Sequence, residues 1–435
     1  MILLYGIAFL PLIGLCIYYL SRSVLLGWIS LLALQLYIHT FGIDQFNVGR
    51  LHIDVLDLLE FCLLAAGIIR TVPRLRELNT ARMFAAAYLG VFAFSLARGI
   101  IAHGLPPAGN ESRLFVGLLI AFLYFLTAPV DSNSVRRYVR VLLYYGLGLV
   151  FVAFLAYAGL DVGLVAQGHH DFAEEDVLGR LLPSDSALDL AFCFFFSLAE
   201  SHHKRNAILS KWLPGVFLGL AVFLRTRTVW AVLAAGLIFL LLMDRGLVRR
   251  LLPVGAFALC FMAVYALLAG NTAQSVETQL SDSATNDNTW VWRVLGWQQL
   301  LEDEQPTATN LLLGKSLGGG YERFDPTSGR YIDYPPHSEY VTQFLNMGIA
   351  GVVLVLCLMI RPLWRFWRLS STDMHAVEPS ASAWAVVVIG IMLYGVTYDP
   401  SPEAYALLGI ANAMVFRLDR DAKHTLAPAA SIQAD

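Results

Sequence analysis

Residues 335–360 read "PPHSEYVTQFLNMGIAGVVLVLCLMI". Two prolines close one segment, His337, Ser338 and Glu339 follow, and the chain is then free of charge from Val341 to Ile360. That uncharged run matches the roughly 20 residues a helix needs to cross the hydrocarbon of a bilayer. Arg361, Arg365 and Arg368 stand at its far end. A polar mouth with a histidine, an apolar span and a basic exit give this one segment a direction.

The same pattern recurs along the 435 residues, of which 57% are hydrophobic and 14% charged. A soluble chain carries about a quarter charged residues. Here the charges sit in short islands between apolar runs at 1–20, 24–41, 55–69, 83–102, 114–129, 138–158, 186–200, 212–224, 228–243, 247–269, 339–360, 382–398 and 403–417. The expected fold is therefore all-α, a polytopic membrane bundle of about 12–13 helices. The chain divides into an N-terminal bundle (1–269), a long loop with short helices (270–337), C-terminal membrane helices (338–418) and a tail (419–435). The first apolar run lacks a basic start and a cleavage pattern, so it is expected to remain as a helix. The five cysteines all lie within apolar runs and have no metal-ligand spacing, so neither a disulfide framework nor a zinc site is expected.

Basic residues orient the stack. Arg22, Arg70, Arg74, Arg76, Arg82, Arg136, Arg137, Arg140, Lys204, Arg205, Lys211, Arg245, Arg249, Arg250, Arg361, Arg365, Arg368, Arg417, Arg420 and Lys423 all fall in one alternate set of loops. That set should be cytoplasmic, which puts the stretches 159–185 and 270–337, and His337 with them, on the other side. Arg98, Arg225 and Arg227 break the bias at the outer boundary of apolar runs. Ionisable groups at such depth are costly and usually face a cavity or a partner.

Several stretches carry candidate chemistry. In "FLRTRTVWAVLAAG" (223–236), Arg225 and Arg227 occupy a tight turn between two apolar helices. Lipid-phosphate snorkelling explains an isolated pair, so a functional role requires other cations at the same place. In "NTWVWRVLGWQQLLEDE" (288–304), Trp290, Val294, Trp297 and Leu301 recur at helical spacing beside Arg293. They predict a short amphipathic surface helix, whose tryptophans serve as an interface belt or as a platform for sugar rings. "LLLGKSLGGGYERF" (311–324) has three glycines in a row, a side-chain-free turn that is not a phosphate-binding P-loop. "DVLDLLEF" (54–61) sets Asp54, Asp57 and Glu60 three residues apart. The stripe is either an ion path or, as favoured here, the partner of Arg98 or another outer arginine. "HHDFAEED" (169–176) reads as a solvated acidic loop, and no metal is assigned.

In order, "GRLLPSD" (179–185), "RTRTVW" (225–230), "WRVLGW" (292–297), "LLLGKSLGGGY" (311–321) and "HSEYVTQFLNMGIAG" (337–351) resemble the O-antigen ligase and polymerase superfamily of bacterial envelope enzymes. The resemblance covers roughly 175–360, and its last element is the most specific. Ser338 stands where relatives often have Asn, and Thr-Arg-Thr replaces a commoner Ser-Arg-Gly.

The resemblance implies a multi-pass glycosyltransferase of the bacterial inner membrane with its site facing the periplasm. It would move a glycan from a polyprenyl pyrophosphate to a sugar hydroxyl on a glycan or lipid-core acceptor, without a cofactor and without nucleic acid. Membrane lipid surrounds it. Arg227 and Arg293 would stabilise the pyrophosphate, and His337 would act as base or orienter for the hydroxyl, near the ordinary imidazole pKa. Arg225, Arg180, Trp290, Trp297, Tyr321 and Glu339 would contact substrate, Glu339 being also a weaker alternative base. The H-x10-G spacing from His337 to Gly348 leans towards ligase; the R-x10-G spacing from Arg225 to Gly236 leans towards polymerase. The competing class is a secondary transporter or flippase for an anionic envelope precursor, which matching halves would support. None are visible in the sequence.

Overall fold

The computed structural model describes residues 2–41, 45–48, 51–74, 80–157, 182–201, 208–224, 226–243, 251–252, 254–258, 288–302, 307–325, 329–370 and 381–426. Helices stand at every apolar segment named above; of 247–269 only 251–252 and 254–258 are among the described residues, and these are helical. In chain order they are α1 (Ile2–Arg22), α2 (Val24–Phe41), α3 (Val55–Thr71), α4 (Thr80–His103), α5 (Leu105–Ser112), α6 (Val116–Leu123), α7 (Ser132–Tyr157), α8 (Ser184–Ser201), α9 (Ile208–Phe223) and α10 (Arg227–Met243). After the long loop begins come α11 (Asn288–Glu302), α12 (Ala308–Leu313), α13 (Glu339–Ser370), α14 (Ala381–Tyr394) and α15 (Pro402–Leu426).

Among the described residues, five helical stretches are long and apolar enough to cross a membrane, and shorter apolar helices accompany them. The protein is an all-α polytopic membrane bundle. One segment departs from expectation. The stretch read as a helix over 114–129 begins earlier, at Leu105, and is broken into α5, α6 and short tighter turns at 113–115 and 125–127. Pro106 and Pro107 sit at the first helical positions, where their missing N–H groups cost nothing, so α5 can start there.

In lipid the helices gain little from hiding apolar surface, and close van der Waals packing holds them together. Small residues permit it. A Cβ on Gly236 of α10 would lie 2.4 Å from Phe195 Cζ of α8 and 2.6 Å from Val386 of α14. The glycine of the R-x10-G spacing therefore lets three helices meet. The buried phenylalanines Phe192, Phe194, Phe195 and Phe196 of α8 fill the centre of this half. The basic ends of the helices are tied together. Arg70 donates to Ser21 O at 2.7 Å and Thr127 Oγ1 at 2.8 Å, Arg417 to Val130 O at 2.6 Å, and Arg361 to Asp419 at 2.8 Å.

Two antiparallel hairpins, absent from the sequence reading, interrupt the helices: β1 (Gln45–Val48) with β2 (Leu51–Asp54), and β3 (Glu322–Asp325) with β4 (Arg330–Asp333). The helix α13 is also interrupted. Gly348 adopts φ +64, ψ −164 inside it. A Cβ there would sit 2.4 Å from Leu312 C, while a Cβ on Gly314 would sit 2.3 Å from Asn346 C. The end of α12 is thus inserted against the break, and Lys315 N–H donates to Leu345 O at 2.8 Å. The H-x10-G glycine is required for this insertion, because only glycine tolerates both the backbone angle and the approach.

Candidate functional site

The long loop folds back over the start of α13. On α11, Leu300 is buried against Tyr321 and Leu345, while Trp290, Val294 and Leu301 are exposed along the apolar stripe anticipated from their spacing. Gln299 holds β3 through both ends of its amide: Nε2 donates to Phe324 O at 3.1 Å and Phe324 N–H donates to Oε1 at 2.9 Å. Trp292 Nε1 donates to Asp325 at 2.9 Å, and Trp297 Nε1 donates to Pro336 O at 2.5 Å. Helix, hairpin and the Pro-Pro-His segment form one cap.

His337 stands at its centre. Its ring centroid lies 4.8 Å from that of Tyr334 and 6.3 Å from that of Trp292. Its φ is +51, a left-handed conformation that costs a β-carbon-bearing residue about 1–2 kcal/mol. Such strain persists only where the surroundings enforce it, and it gathers at functional sites. Here Trp297 pins the preceding carbonyl. Burial, then the charges of Arg293 and Arg323, push the His337 pKa down to about 4. This corrects the expectation of an imidazole titrating near neutrality. The ring is neutral throughout the physiological range.

Arg323 was not singled out in the sequence. It is 4% exposed, lies over the Trp292 ring at 5.1 Å and donates to Tyr334 O. Arg293 lies over the Tyr398 ring at 4.5 Å, and its Nε is buried with no hydrogen-bond partner. Tyr398 belongs to the turn between α14 and α15, and the neighbouring Thr397 shares a 2.6 Å hydroxyl contact with Thr228. Arg227, the first residue of α10, is therefore carried to the same turn that Arg293 touches. Tertiary structure brings Arg293 and Arg323 beside His337, and sets the start of α10, with Arg227, against the turn that carries Tyr398. Arg225 and Arg180 lie outside the described residues, as does the 169–176 acidic stretch.

The same turn contributes Asp399, which sequence reasoning also missed. Burial raises its pKa to about 6, and the nearby Thr342 hydroxyl opposes the rise. Neither Asp399 Oδ1 nor Thr342 Oγ1 makes a hydrogen bond of normal geometry. A carboxylate half-protonated near pH 6 suits proton transfer close to neutrality. The available signal was a lone acid in "TYDPS" (397–401) between two apolar runs.

Two expected substrate contacts have other duties. Glu339 is 2% exposed, and its carboxylate accepts from Gln343 Nε2 at 2.7 Å and Tyr405 Oη at 2.5 Å. The first turn of α13 rotates it into the bundle, so it packs α13 against α15 rather than lining the mouth. Tyr321 is 3% exposed, and its hydroxyl accepts from Asn346 Nδ2 at 2.6 Å. Trp297 is committed to Pro336, which leaves Trp290, 46% exposed and edge-on to Trp297 at 5.6 Å, as the open ring of that pair.

The acidic stripe finds an arginine, but not Arg98. Arg113 pairs with Asp57 at 3.1 Å and Asp54 at 3.6 Å. Arg98 instead donates to Gly314 O at 3.0 Å and reaches Leu313 O and Asn310 Oδ1 at 3.4 Å. It anchors the loop to α4 through backbone carbonyls. Among the described residues no group of three His, Cys, Asp or Glu side chains is arranged to hold a metal ion. Cavities of about 490 and 640 Å³ open at the opposite, basic end, one lined by Arg82 and Arg417 and the other by Arg22 and Arg70. Comparison with family models finds no match for the chain, and comparison with characterised proteins finds none either.

Proposed function

We propose that the protein transfers a glycan from a polyprenyl pyrophosphate to a sugar hydroxyl at the extracytoplasmic face of a bacterial inner membrane, as the motif resemblance implies. The observation that carries the reading is Arg293. A guanidinium with a buried, unpartnered Nε, and no carboxylate paired to it among the described residues, is poised for an anion. Arg227 begins α10, whose next residue Thr228 meets the same turn, and the positive end of that helix dipole adds to the field there.

In the transfer, the bond between the anomeric carbon and the pyrophosphate oxygen breaks, and its electron pair stays on that oxygen. Arg293 and Arg227 stabilise the charge that develops there, a contribution of a few kcal/mol per contact, on the order of 3. The acceptor oxygen forms the new bond to the anomeric carbon and gives up its proton. His337, neutral at physiological pH, accepts that hydrogen bond; Asp399 is a second acceptor for the proton. The exposed Trp290 offers an apolar face to a sugar ring.

A second reading has its own support. Glu60, Asp189 and Glu403 are buried carboxylates within the bundle, a feature of ion-coupled transporters. One experiment separates them. Purified protein is given a lipid-linked glycan and an envelope acceptor without nucleotide sugar, ATP or metal. Formation of the coupled product with release of the lipid pyrophosphate is expected. No product, together with proton-dependent uptake of the donor into proteoliposomes, would favour transport.

A further inference from the structure

The glycine-rich turn is held by a residue far away in sequence. Gly314, Ser316, Gly318 and Gly320 have φ of +70, +89, +97 and +73. Two N–H groups of this turn converge on one anionic side chain, as in backbone concavities that bind anions. Gly318 N–H donates to Glu111 Oε2 at 2.6 Å and Gly320 N–H to Glu111 Oε1 at 2.5 Å. Both carboxylate oxygens of α5 are thus engaged by one turn. The contact is close along its length. A Cβ on Gly318 would lie 2.9 Å from Ala108 N, and one on Gly99 would lie 2.0 Å from Leu317 O.

What leaves the turn is the cap itself. Tyr321 N–H donates to Asp333 Oδ1 at 2.7 Å, which closes β3 onto β4. Two residues after Gly320's neighbour Tyr321 comes Arg323, which stands between the Trp292 ring and Tyr334 O. His337 is faced by Trp292 and Arg293 from α11, Arg323 from β3 and Tyr334 from the segment after β4.

We infer that Glu111 is a positioning residue: its carboxylate fixes the glycine turn, and through it the hairpin that sets Arg323 against His337. Hydrogen bonds from N–H groups to an ionised carboxylate are about twice as strong as neutral ones, which suits a single side chain to this duty. The lysine and glycines of "GKSLGGG" then serve geometry rather than phosphate binding. Its consequence for catalysis rests on the transfer reading; its consequence for His337 does not.

The test uses the full-length protein in lipid nanodiscs with isotope-labelled histidine, the His337 resonance being identified by its loss in His337→Gln. The wild-type midpoint is expected near 4. In Glu111→Ala it should rise by about half a pH unit towards the free value of 6.5, as Arg323 leaves its place. Glu111→Gln keeps one acceptor oxygen and should fall between. Glycan transfer should drop about tenfold or more in Glu111→Ala, mostly in kcat. A wild-type midpoint in both variants, with the fold intact by circular dichroism, overturns the inference; if the alanine variant fails to fold, an unshifted midpoint in Glu111→Gln does so alone. A shifted midpoint in a protein with no transferase activity leaves the positioning role standing and removes the transfer reading.

Discussion

The acid limb of the pH–rate profile separates the two candidate proton acceptors. The His337 pKa lies at about 4, below its ordinary 6.5, so the neutral ring is favoured and the cation forms only as pH falls through about 4. That displacement corresponds to about 3.4 kcal/mol disfavouring the cation, at 1.36 kcal/mol per pH unit. The Asp399 pKa lies at about 6, above its ordinary 3.8, so its carboxylate is lost as pH falls through about 6. At pH 5 a base with the histidine value is about 90% competent and one with the aspartate value about 10%, a nearly tenfold difference.

The assay is transfer from a lipid-linked glycan by purified protein between pH 4.5 and 8, with kcat/KM reporting the free enzyme and kcat the bound one. If His337 is the base, kcat/KM stays flat down to about pH 5, and His337→Gln lowers activity at every pH while Asp399→Asn does not. If Asp399 is the base, a limb near 6 appears and vanishes in Asp399→Asn. In either case donor binding adds negative charge beside Arg293 and Arg323, so the histidine's own limb in kcat should lie above that in kcat/KM. A limb near 6.5 in kcat/KM that depends on His337 would refute the buried, doubly cation-flanked site described above. Unchanged rates in both variants would remove both groups from the chemistry.

Arg293→Ala and Arg227→Ala should each reduce the rate by about two to three orders of magnitude at normal expression, with lysine a poor substitute because it lacks the planar fork; full activity in both would make them lipid-facing charges. Gly348→Ala should lower the detergent melting temperature, since φ +64 costs alanine about 1–2 kcal/mol before the clash with Leu312 is counted. An unchanged transition would mean that α13 can close as a regular helix. A reporter fused within 275–335 should be accessible from outside the cell and one within 361–380 from the cytoplasm, by the distribution of arginine and lysine; cytoplasmic labelling of the loop rules out the proposed site.

Hydropathy read from one chain anticipated most of the helices because the bilayer imposes a length, and length is local. The α11 stripe of Trp290, Val294 and Leu301 was legible for the same reason: a period of 3.6 can be counted. The hairpins were not, because the β3–β4 pair is stabilised by Gln299 and Trp292, which lie elsewhere in the loop. Glu339 shows the limit most clearly. Two residues from His337, it belongs to a different environment, because Gly395 O accepts its N–H and the first turn of α13 points its carboxylate at Tyr405.

Likewise, the sequence paired the acidic stripe of α3 with Arg98 or another outer arginine and left open which one, and the partner is Arg113. Which of Arg98 and Arg113 reaches Asp57 depends on how α4 meets the loop backbone at Gly314. The sequence by itself determined the membrane class, the segments and the roster of cations and a histidine, since composition and period are properties of neighbours along the chain. Only the tertiary structure decided that Arg293 and Arg323 flank His337, that Arg293 and the start of α10 meet the turn bearing Tyr398 and Asp399, and that Glu111 holds the glycine turn. Those relations are contacts between segments tens to hundreds of residues apart, and they depend on the rotation of each helix about its axis, which hydropathy does not set.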